Sequence, residues 1–205
     1  MKILNLYAWL WGNRTNWGNE HEITAVEINP DIAKVYRDRF QNDRVEVTDA
    51  HQYLLENYDK FDFIWTSPPC QSHSSFRQNI GVRYRWVKAI YPDMKLWQEI
   101  LFLQANCKWK FVVENVKPYY KNLIPETSFI QRHMFWSNFD IPKIEIEQDK
   151  IRTAQIPDLQ KLHKIDLSDI KIKDKRQLLR NCVHYKLWEY ILNIANKQYN
   201  NDTKI

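Results

Sequence analysis

Glycine is nearly absent from this chain. Only 3 of its 205 residues are glycine, whereas an average usage of about 7% gives roughly 14 in a chain of this length. Tryptophan is abundant instead, with 9 residues. Because glycine supplies left-handed turns and lets the backbone approach a ligand closely, the deficit bears on any ligand-binding loop.

Two further absences exclude whole classes of protein. The three cysteines (Cys70, Cys107 and Cys182) are too few and too spread for a disulfide scaffold or a zinc cluster, so we expect a reduced compartment, the cytoplasm, and no bound metal. No apolar run approaches the roughly 20 residues of a membrane span. Residues 3–11 follow a lysine but lack a small-residue cleavage site, so they are interpreted as a buried strand and its turn.

The composition that remains is that of a single folded domain with a basic balance. Hydrophobic residues make up 44% of the chain and charged residues 27%, which is enough apolar material for a core. The net charge of +5 is compatible with a polyanionic partner.

The first half of the chain alternates β-branched apolar segments with amphipathic ones. The pattern predicts strands at 2–7, 22–28, 44–48, 61–66 and 111–113, and helices at 30–40, 51–58 and 96–105. A closing helix is predicted at 186–197. This alternation predicts an α/β fold with a mostly parallel sheet and helices on both faces.

Polar residues follow four of the predicted strands. Glu27, Asp49, Cys70 and Glu114 come where the second to fifth strands end. Ligands bind beyond the carboxyl ends of the strands in open parallel sheets. The sequence therefore predicts a site along this edge.

Cys70 stands in the run Thr-Ser-Pro-Pro-Cys-Gln directly after a buried strand. Paired prolines fix the backbone and present the next side chain in a defined direction. A thiol held in this way can act as a nucleophile. The alternative is a buried structural cysteine, which the proline context disfavours.

Glu114 opens the run Glu-Asn-Val after the next buried strand. A partly desolvated carboxyl at such a position is a candidate proton donor. Taken alone, a helix-capping or salt-bridged glutamate would be the simpler interpretation. A neighbouring strand end that carries Cys70 favours the catalytic one.

These motifs resemble those of the DNA cytosine-5 methyltransferases, especially the short single-domain members common in bacteriophage and in restriction-modification systems. The resemblance covers nearly the whole chain, with residues 67–71 similar to the catalytic Pro-Cys motif and 114–116 to the Glu-Asn-Val motif. It implies a Rossmann-like, S-adenosylmethionine-dependent methyltransferase fold. It also implies a catalytic domain at 1–137, a small C-terminal target-recognition lobe at 138–175, and a segment at 176–205 that returns to the catalytic domain.

The resemblance implies roles for individual residues. Cys70, Glu114 and Arg132 match catalytic positions, with Arg132 beside the target base. The positions that match the S-adenosylmethionine site are Tyr7, Ala8, Gly12, Glu27, Ile28, Asp49, Ala50, Pro68, Asn181 and Val183. Among these, Glu27 matches the residue that takes the ribose hydroxyls, and Asp49 the residue that meets the adenine amino group.

The implied partner is double-stranded DNA, bound by a monomer in the cytoplasm of a bacterial host cell. The expected DNA contacts are Gln71, Ser72, Arg77, Arg83, Arg85 and Asn115. In the implied reaction the Cys70 thiolate attacks C6 of a cytosine that has been flipped out of the duplex. Glu114 protonates N3 of the base, and C5 then takes the methyl group.

The chain departs from the family at its cofactor loop. Trp9 and Trp11 stand where the family has glycines, and taken literally they predict weak or absent cofactor binding. We hypothesise that the source reads UGA as glycine, so that Trp9, Trp11, Trp109 and Trp188 are misread codons. A further departure is Met134, at the place of the second arginine of the family's Arg-x-Arg motif.

Two other functions stay open. An amino-methyltransferase acting on adenine N6 or cytosine N4 also uses a Pro-Pro motif at a strand end, but Cys70 and Glu114 argue against it. A DNA-binding protein on a methyltransferase scaffold, without catalysis, is favoured if Trp9 and Trp11 are real.

Overall fold

The computed structural model describes residues 1–9, 13–145, 154–163, 165–168, 174–182 and 184–202. Trp11, Gly12 and Val183, which the sequence assigns to the cofactor loop and the closing motif, lie outside the described residues. So does part of the predicted recognition lobe, at 146–153, 164 and 169–173.

The described residues form one seven-stranded sheet. Its strands are β1 (Lys2–Leu6), β2 (Glu22–Val26), β3 (Arg44–Glu46), β4 (Phe63–Thr66), β5 (Lys110–Val116), β6 (Ser128–Ile130) and β7 (His133–Ser137). The order across the sheet is β3-β2-β1-β4-β5-β7-β6. Strands β1 to β5 pair in parallel, whereas β7 pairs antiparallel with both β5 and β6.

Helices connect the strands and cover both faces. They are α1 (Pro30–Arg39), α2 (Ala50–Asn57), α3 (Lys95–Asn106), α4 (Ile156–His163), α5 (Lys175–Asn181) and α6 (Tyr185–Asp202), with a π-helical turn at Arg77–Val82. Local hydrogen bonding sets the start of α1. The Asn29 side chain accepts hydrogen bonds from the first free backbone N–H groups, and Pro30 has no N–H that would need a partner. Among the described residues, no helix has the length and apolar character that a membrane span requires.

The predicted end of β5 is wrong. The sequence ends this strand at Val113, with Glu114 beyond it, but β5 runs to Val116. The parallel ladder with β4 does end at Val113, opposite Thr66. The strand continues because β7, which the sequence analysis did not predict, pairs with it along its whole outer half.

Three apolar clusters hold the molecule together. One packs α6 against the sheet face that carries Phe63 and Trp65, and the second packs α2 and α3 against the opposite face. Each fully buried large side chain contributes about 1.5–3 kcal/mol relative to an exposed one. The third cluster joins α1 to α4 and α5 through residues such as Tyr36, Leu159 and Leu179, so α4, in the described part of the predicted lobe, packs directly on α1.

Candidate active site

The loop after β4 and the end of β5 are tied together by hydrogen bonds. The Asn115 side-chain amide donates to the carbonyl oxygen of Pro68 at 2.9 Å. Further along, Ser75 N donates to the carbonyl oxygen of Lys117 at 3.3 Å. Asn115 is only 1% exposed, so in this structure its side chain positions the Cys70 loop, and its predicted DNA contact stays a prediction.

Cys70 begins a tight turn in this loop. Its carbonyl oxygen accepts from the backbone N–H of both His73 and Ser74 at 3.0 Å. Burial raises the pKa of the thiol to about 11, the charge of Glu114 adds to the rise, and Arg132 opposes it. The thiol is therefore mostly protonated at neutral pH in this structure.

Glu114 has a partner that the sequence analysis missed. Its Oε1 lies 2.6 Å from Nδ1 of His133, and the side chains are 9% and 3% exposed. The two residues sit diagonally across the antiparallel pair β5–β7, since Glu114 faces Phe135 and Val116 faces His133. The strand alternation of 133–137 would have pointed to His133 only if β7 had been predicted.

Arg132 joins the closing segment to this site. Its guanidinium Nη2 donates to the carbonyl oxygens of Arg180 at 2.8 Å and Cys182 at 3.1 Å, at the end of α5. Its neighbour Met134 is 6% exposed and packs in the apolar cluster of α2 and α3. The β7 residue that contacts Glu114 is therefore His133, and Met134 does not make that contact.

A second polar group lies beyond the ends of β1 and β2. Glu27 is 4% exposed and accepts from the backbone N–H of Trp9 at 3.1 Å and of Asn29 at 2.8 Å. Burial raises the pKa of its carboxyl. Ile28 next to it is 67% exposed, while Ala8 is buried in the apolar cluster of α1, α4 and α5.

Asp49 lies beyond β3 and starts α2. Its Oδ1 accepts from the N–H of His51 at 2.8 Å, and its Oδ2 accepts from Lys95 Nζ at 3.0 Å. The hydrogen bond from Lys95 is the largest of the effects that lower the pKa of the Asp49 carboxyl. The side chain is 43% exposed, whereas the neighbouring Ala50 is buried.

Glu99 connects the elements beneath this edge. Its carboxylate is fully buried and accepts from Tyr7 Oη at 2.6 Å and Thr66 Oγ1 at 2.7 Å. His51 Nδ1 lies 3.0 Å from the same carboxylate. Burial, followed by the charge of Glu99, raises the pKa of Tyr7 far above its usual range. The sequence signal that could have identified Glu99 is a glutamate on the apolar side of a predicted helix, between Leu96 and Leu103.

The nucleoside half of the predicted cofactor site fits these residues. The Glu27 carboxylate accepts two N–H bonds of the roughly four that its lone pairs allow, and the exposed Asp49 lies along the same edge. Trp9 fits badly: its φ of 47° is left-handed, and its buried indole Nε1 has no hydrogen-bond partner. A tryptophan at such a φ is an outlier, whereas a glycine adopts it without strain.

The predicted DNA contacts lie on the segment after Cys70. Ser72 Oγ accepts from Asp93 N at 3.0 Å, and Arg77 donates to the carbonyl oxygen of Lys88 at 2.6 Å. Arg83 and Arg85 are exposed. Gln71 is partly exposed beside Cys70, and Asn181 is the last residue of α5, with its side chain outside the described set.

The chain matches one protein-family model. The model is that of the C-5 cytosine-specific DNA methylases, and it covers residues 1–122. No curated protein matches the chain.

Solved structures with a similar fold include three methyltransferases. The methyltransferase EhMeth of Entamoeba histolytica is 10% identical with a TM-score of 0.55, over 97% of this chain and 98% of that one. A mutant of DNMT2 from Spodoptera frugiperda is 26% identical with a TM-score of 0.38, over 57% of this chain and 35% of that one. A TehB-like SAM-dependent methyltransferase from Corynebacterium glutamicum is 11% identical with a TM-score of 0.36, over 60% and 58%.

Proposed function

The chain belongs to the C-5 cytosine-specific DNA methylase family, and from this premise we propose that it methylates C5 of cytosine in double-stranded DNA. The methyl donor in this proposal is S-adenosylmethionine. The observation that carries the proposal is the proximity of Cys70, in the loop after β4, to Glu114, in the outer half of the adjacent strand β5, where the Glu114 charge raises the pKa of the thiol.

The two side chains have complementary roles in the proposed reaction. The Cys70 sulfur forms a bond to C6, the C5=C6 double bond breaks, and its electron pair makes C5 nucleophilic. Glu114 gives a proton to N3, which spares the ring a negative charge during the attack. After C5 is methylated, water accepts the C5 proton, the C5=C6 double bond re-forms and the thiolate leaves. N3 then returns its proton to Glu114.

Arg132 supports this chemistry through its charge. It lowers the pKa of Cys70 against the larger effects of burial and Glu114, so it favours the thiolate. Its two bonds to the carbonyl oxygens at the end of α5 hold the closing segment beside the same site. We propose that this position lets the guanidinium meet the flipped base.

S-adenosylmethionine would supply an electrophilic methyl group at this edge. Glu27 would hold its ribose hydroxyls, and Asp49 would meet its adenine. The remaining proposed cofactor residues are Tyr7, Ala8, Gly12, Ile28, Ala50, Pro68, Asn181 and Val183. Burial raises the pKa of the Glu27 carboxyl, and the hydrogen bonds from backbone N–H groups oppose that rise and favour the charged form.

DNA would meet the segment that follows Cys70. A target base has to leave the stack before a thiol can reach C6, and Arg77, Arg83 and Arg85 would hold the phosphates around it. Gln71 and Ser72 lie nearest to the nucleophile and would face the flipped nucleotide.

A second candidate function is DNA binding without catalysis. The left-handed φ of Trp9 and its unpartnered Nε1 favour it if the tryptophan is present in the natural protein. Titration calorimetry with S-adenosylmethionine separates the two functions, because only the enzyme binds the cofactor.

The proposed reaction is tested by trapping on a duplex that contains 5-fluorocytosine. Fluorine at C5 cannot leave as a proton does, so the methylated adduct stays attached to the protein in the presence of S-adenosylmethionine. We expect a denaturation-resistant complex with the wild-type protein and with Cys107→Ala, and none with Cys70→Ala. Equal trapping by Cys70→Ala would contradict the proposal.

A further inference from the structure

We propose that His133 is a positioning residue for Glu114, which it holds so that the carboxyl presents its acidic proton from Oε2. This inference rests on the proposed function and adds a residue to it. The family resemblance assigned a catalytic role to Arg132 but none to His133.

The strand geometry brings His133 to the acid. Residues on β7 alternate between the two sheet faces, so His133 and Phe135 share the face of Glu114 and Val116, while Met134 and Trp136 pack on the other face. His133 is 2% exposed. Its Nδ1 lies 2.6 Å from Glu114 Oε1, which is a short hydrogen-bond distance.

This contact decides which oxygen carries the acidic proton. A carboxyl that donates a proton has one protonated oxygen and one that accepts. In the proposed tautomer, which carries the ring proton on Nδ1, His133 donates to Oε1, so the accepting oxygen is Oε1 and the acidic proton is on Oε2. Among the described residues, Oε2 of Glu114 has no hydrogen-bond partner, so it is the oxygen available to a substrate.

The surroundings argue against a space-filling role for His133. Its strand neighbours Met134, Phe135 and Trp136 are apolar, and an apolar side chain in its place would leave the nearly buried Glu114 carboxyl without a partner. An unsatisfied buried polar group is costly. The charged or titratable groups close to the pair are Cys70, through its coupling to Glu114, and Arg132, which precedes His133 in the chain.

The test uses a matched pair of variants and an assay that needs no cofactor. Asn and Leu have nearly the same size, but only Asn keeps an N–H donor. Addition of Cys70 to C6 makes C5 exchange its hydrogen with solvent, so loss of deuterium from a C5-deuterated duplex reports the attack step. We expect His133→Leu to slow exchange about 10- to 100-fold, with an unchanged Kd for the duplex, and His133→Asn to stay within about fivefold of wild type.

The controls separate this inference from the proposed function. Met134→Leu, on the opposite face of the same strand, should exchange at the wild-type rate. If wild-type protein exchanges no faster than Cys70→Ser, the proposed function is wrong. If wild-type protein exchanges but His133→Leu matches it within twofold, the positioning role is wrong.

A spectroscopic measurement covers the case in which His133→Leu does not fold. The Nδ1–H proton of His133 in the folded wild-type protein should resonate far downfield, as expected for a short bond to a carboxyl. It should move upfield in Glu114→Gln. A His133 ring proton that Glu114→Gln leaves unshifted overturns the proposal.

Discussion

Replacement of Trp9 by glycine should stabilise the protein and strengthen its binding of S-adenosylmethionine. Trp9 holds a left-handed φ of 47°, which costs a residue with a side chain about 1–2 kcal/mol. Its buried, unpartnered Nε1 adds a penalty of about 1–3 kcal/mol. Trp9→Gly removes both.

Two losses oppose this gain. Glycine adds about 0.5–1 kcal/mol of backbone entropy to the unfolded chain, and the half-buried indole gives up roughly half of the 1.5–3 kcal/mol that full burial provides. From the middle of each range, the balance is a gain of about 1.5 kcal/mol. For a chain of this size that corresponds to a rise in Tm of about 3–6 °C.

Trp9→Ala is the matched control, because it removes the indole but keeps a Cβ at a left-handed φ. Thermal unfolding should place Trp9→Gly about 0.5–1 kcal/mol above Trp9→Ala, since the strain relief exceeds the entropy cost of glycine. Calorimetry should show S-adenosylmethionine binding to Trp9→Gly that exceeds binding to the wild-type chain. A glycine variant no more stable than the alanine variant, with no gain in binding, would refute the reasoning.

The hypothesis of misread glycine codons also makes a prediction about the gene. Trp188 is a second crowded tryptophan, since its ring centroid lies 4.0 Å from that of Trp65, below the 4.5–7 Å of favourable aromatic pairs. UGA codons at Trp9, Trp11, Trp109 and Trp188 would support glycine in the natural protein. UGG codons at Trp9 and Trp11 would reject it.

Three further predictions concern the proposed acid Glu114, the DNA partner, and the contact between His51 and Glu99 near the proposed cofactor site. Glu114→Gln should slow C5 exchange by roughly 10²–10⁴, and a rate within threefold of wild type would contradict the role of a proton donor. Duplex affinity should fall as salt rises, with a log–log slope that becomes shallower by about one each for Arg83→Gln and Arg85→Gln; a flat response would remove DNA as the partner. The hydrogen bond to Glu99 raises the pKa of His51, so the stability that this contact provides is fully present below about pH 6.5 and is lost as pH rises through the folded-state value. The difference in free energy of unfolding between wild type and His51→Gln, measured in urea, should therefore be larger at pH 6 than at pH 8.5, and a difference that grows with pH would contradict it.

Much of the sheet could be predicted because its signals are local. Strands β1 to β4 and helices α1 to α3 lie within a few residues of their predicted bounds, since apolar runs and caps such as Asn29 act over short distances. Strands β6 and β7 are short, and their pairing with β5 is a long-range contact that no local pattern reveals. The end of β5 was wrong for the same reason.

In the candidate site, too, residues with local sequence signals were predicted and those that depend on long-range contacts were missed. Cys70, Glu27 and Asp49 were found because they follow strands in sequence, and Glu114 because it follows a buried apolar run, although β5 continues past it. The chemical roles of all four stay predictions. His133 and Glu99 were missed because their partners come from elements 19 to 92 residues away in the chain. Tertiary structure alone decides that a buried histidine meets the proposed acid.

The central claim is that the Cys70 sulfur bonds to the cytosine ring, and peptide mapping of the trapped adduct tests it directly. The protein is incubated with S-adenosylmethionine and a 5-fluorocytosine duplex, digested with protease and nuclease, and analysed by mass spectrometry, with Trp9→Gly run in parallel. The account predicts one modified peptide, which carries the methylated fluorocytosine nucleotide on Cys70. A nucleotide on Cys107 or Cys182, or no adduct even from a Trp9→Gly variant that binds the cofactor, would contradict it.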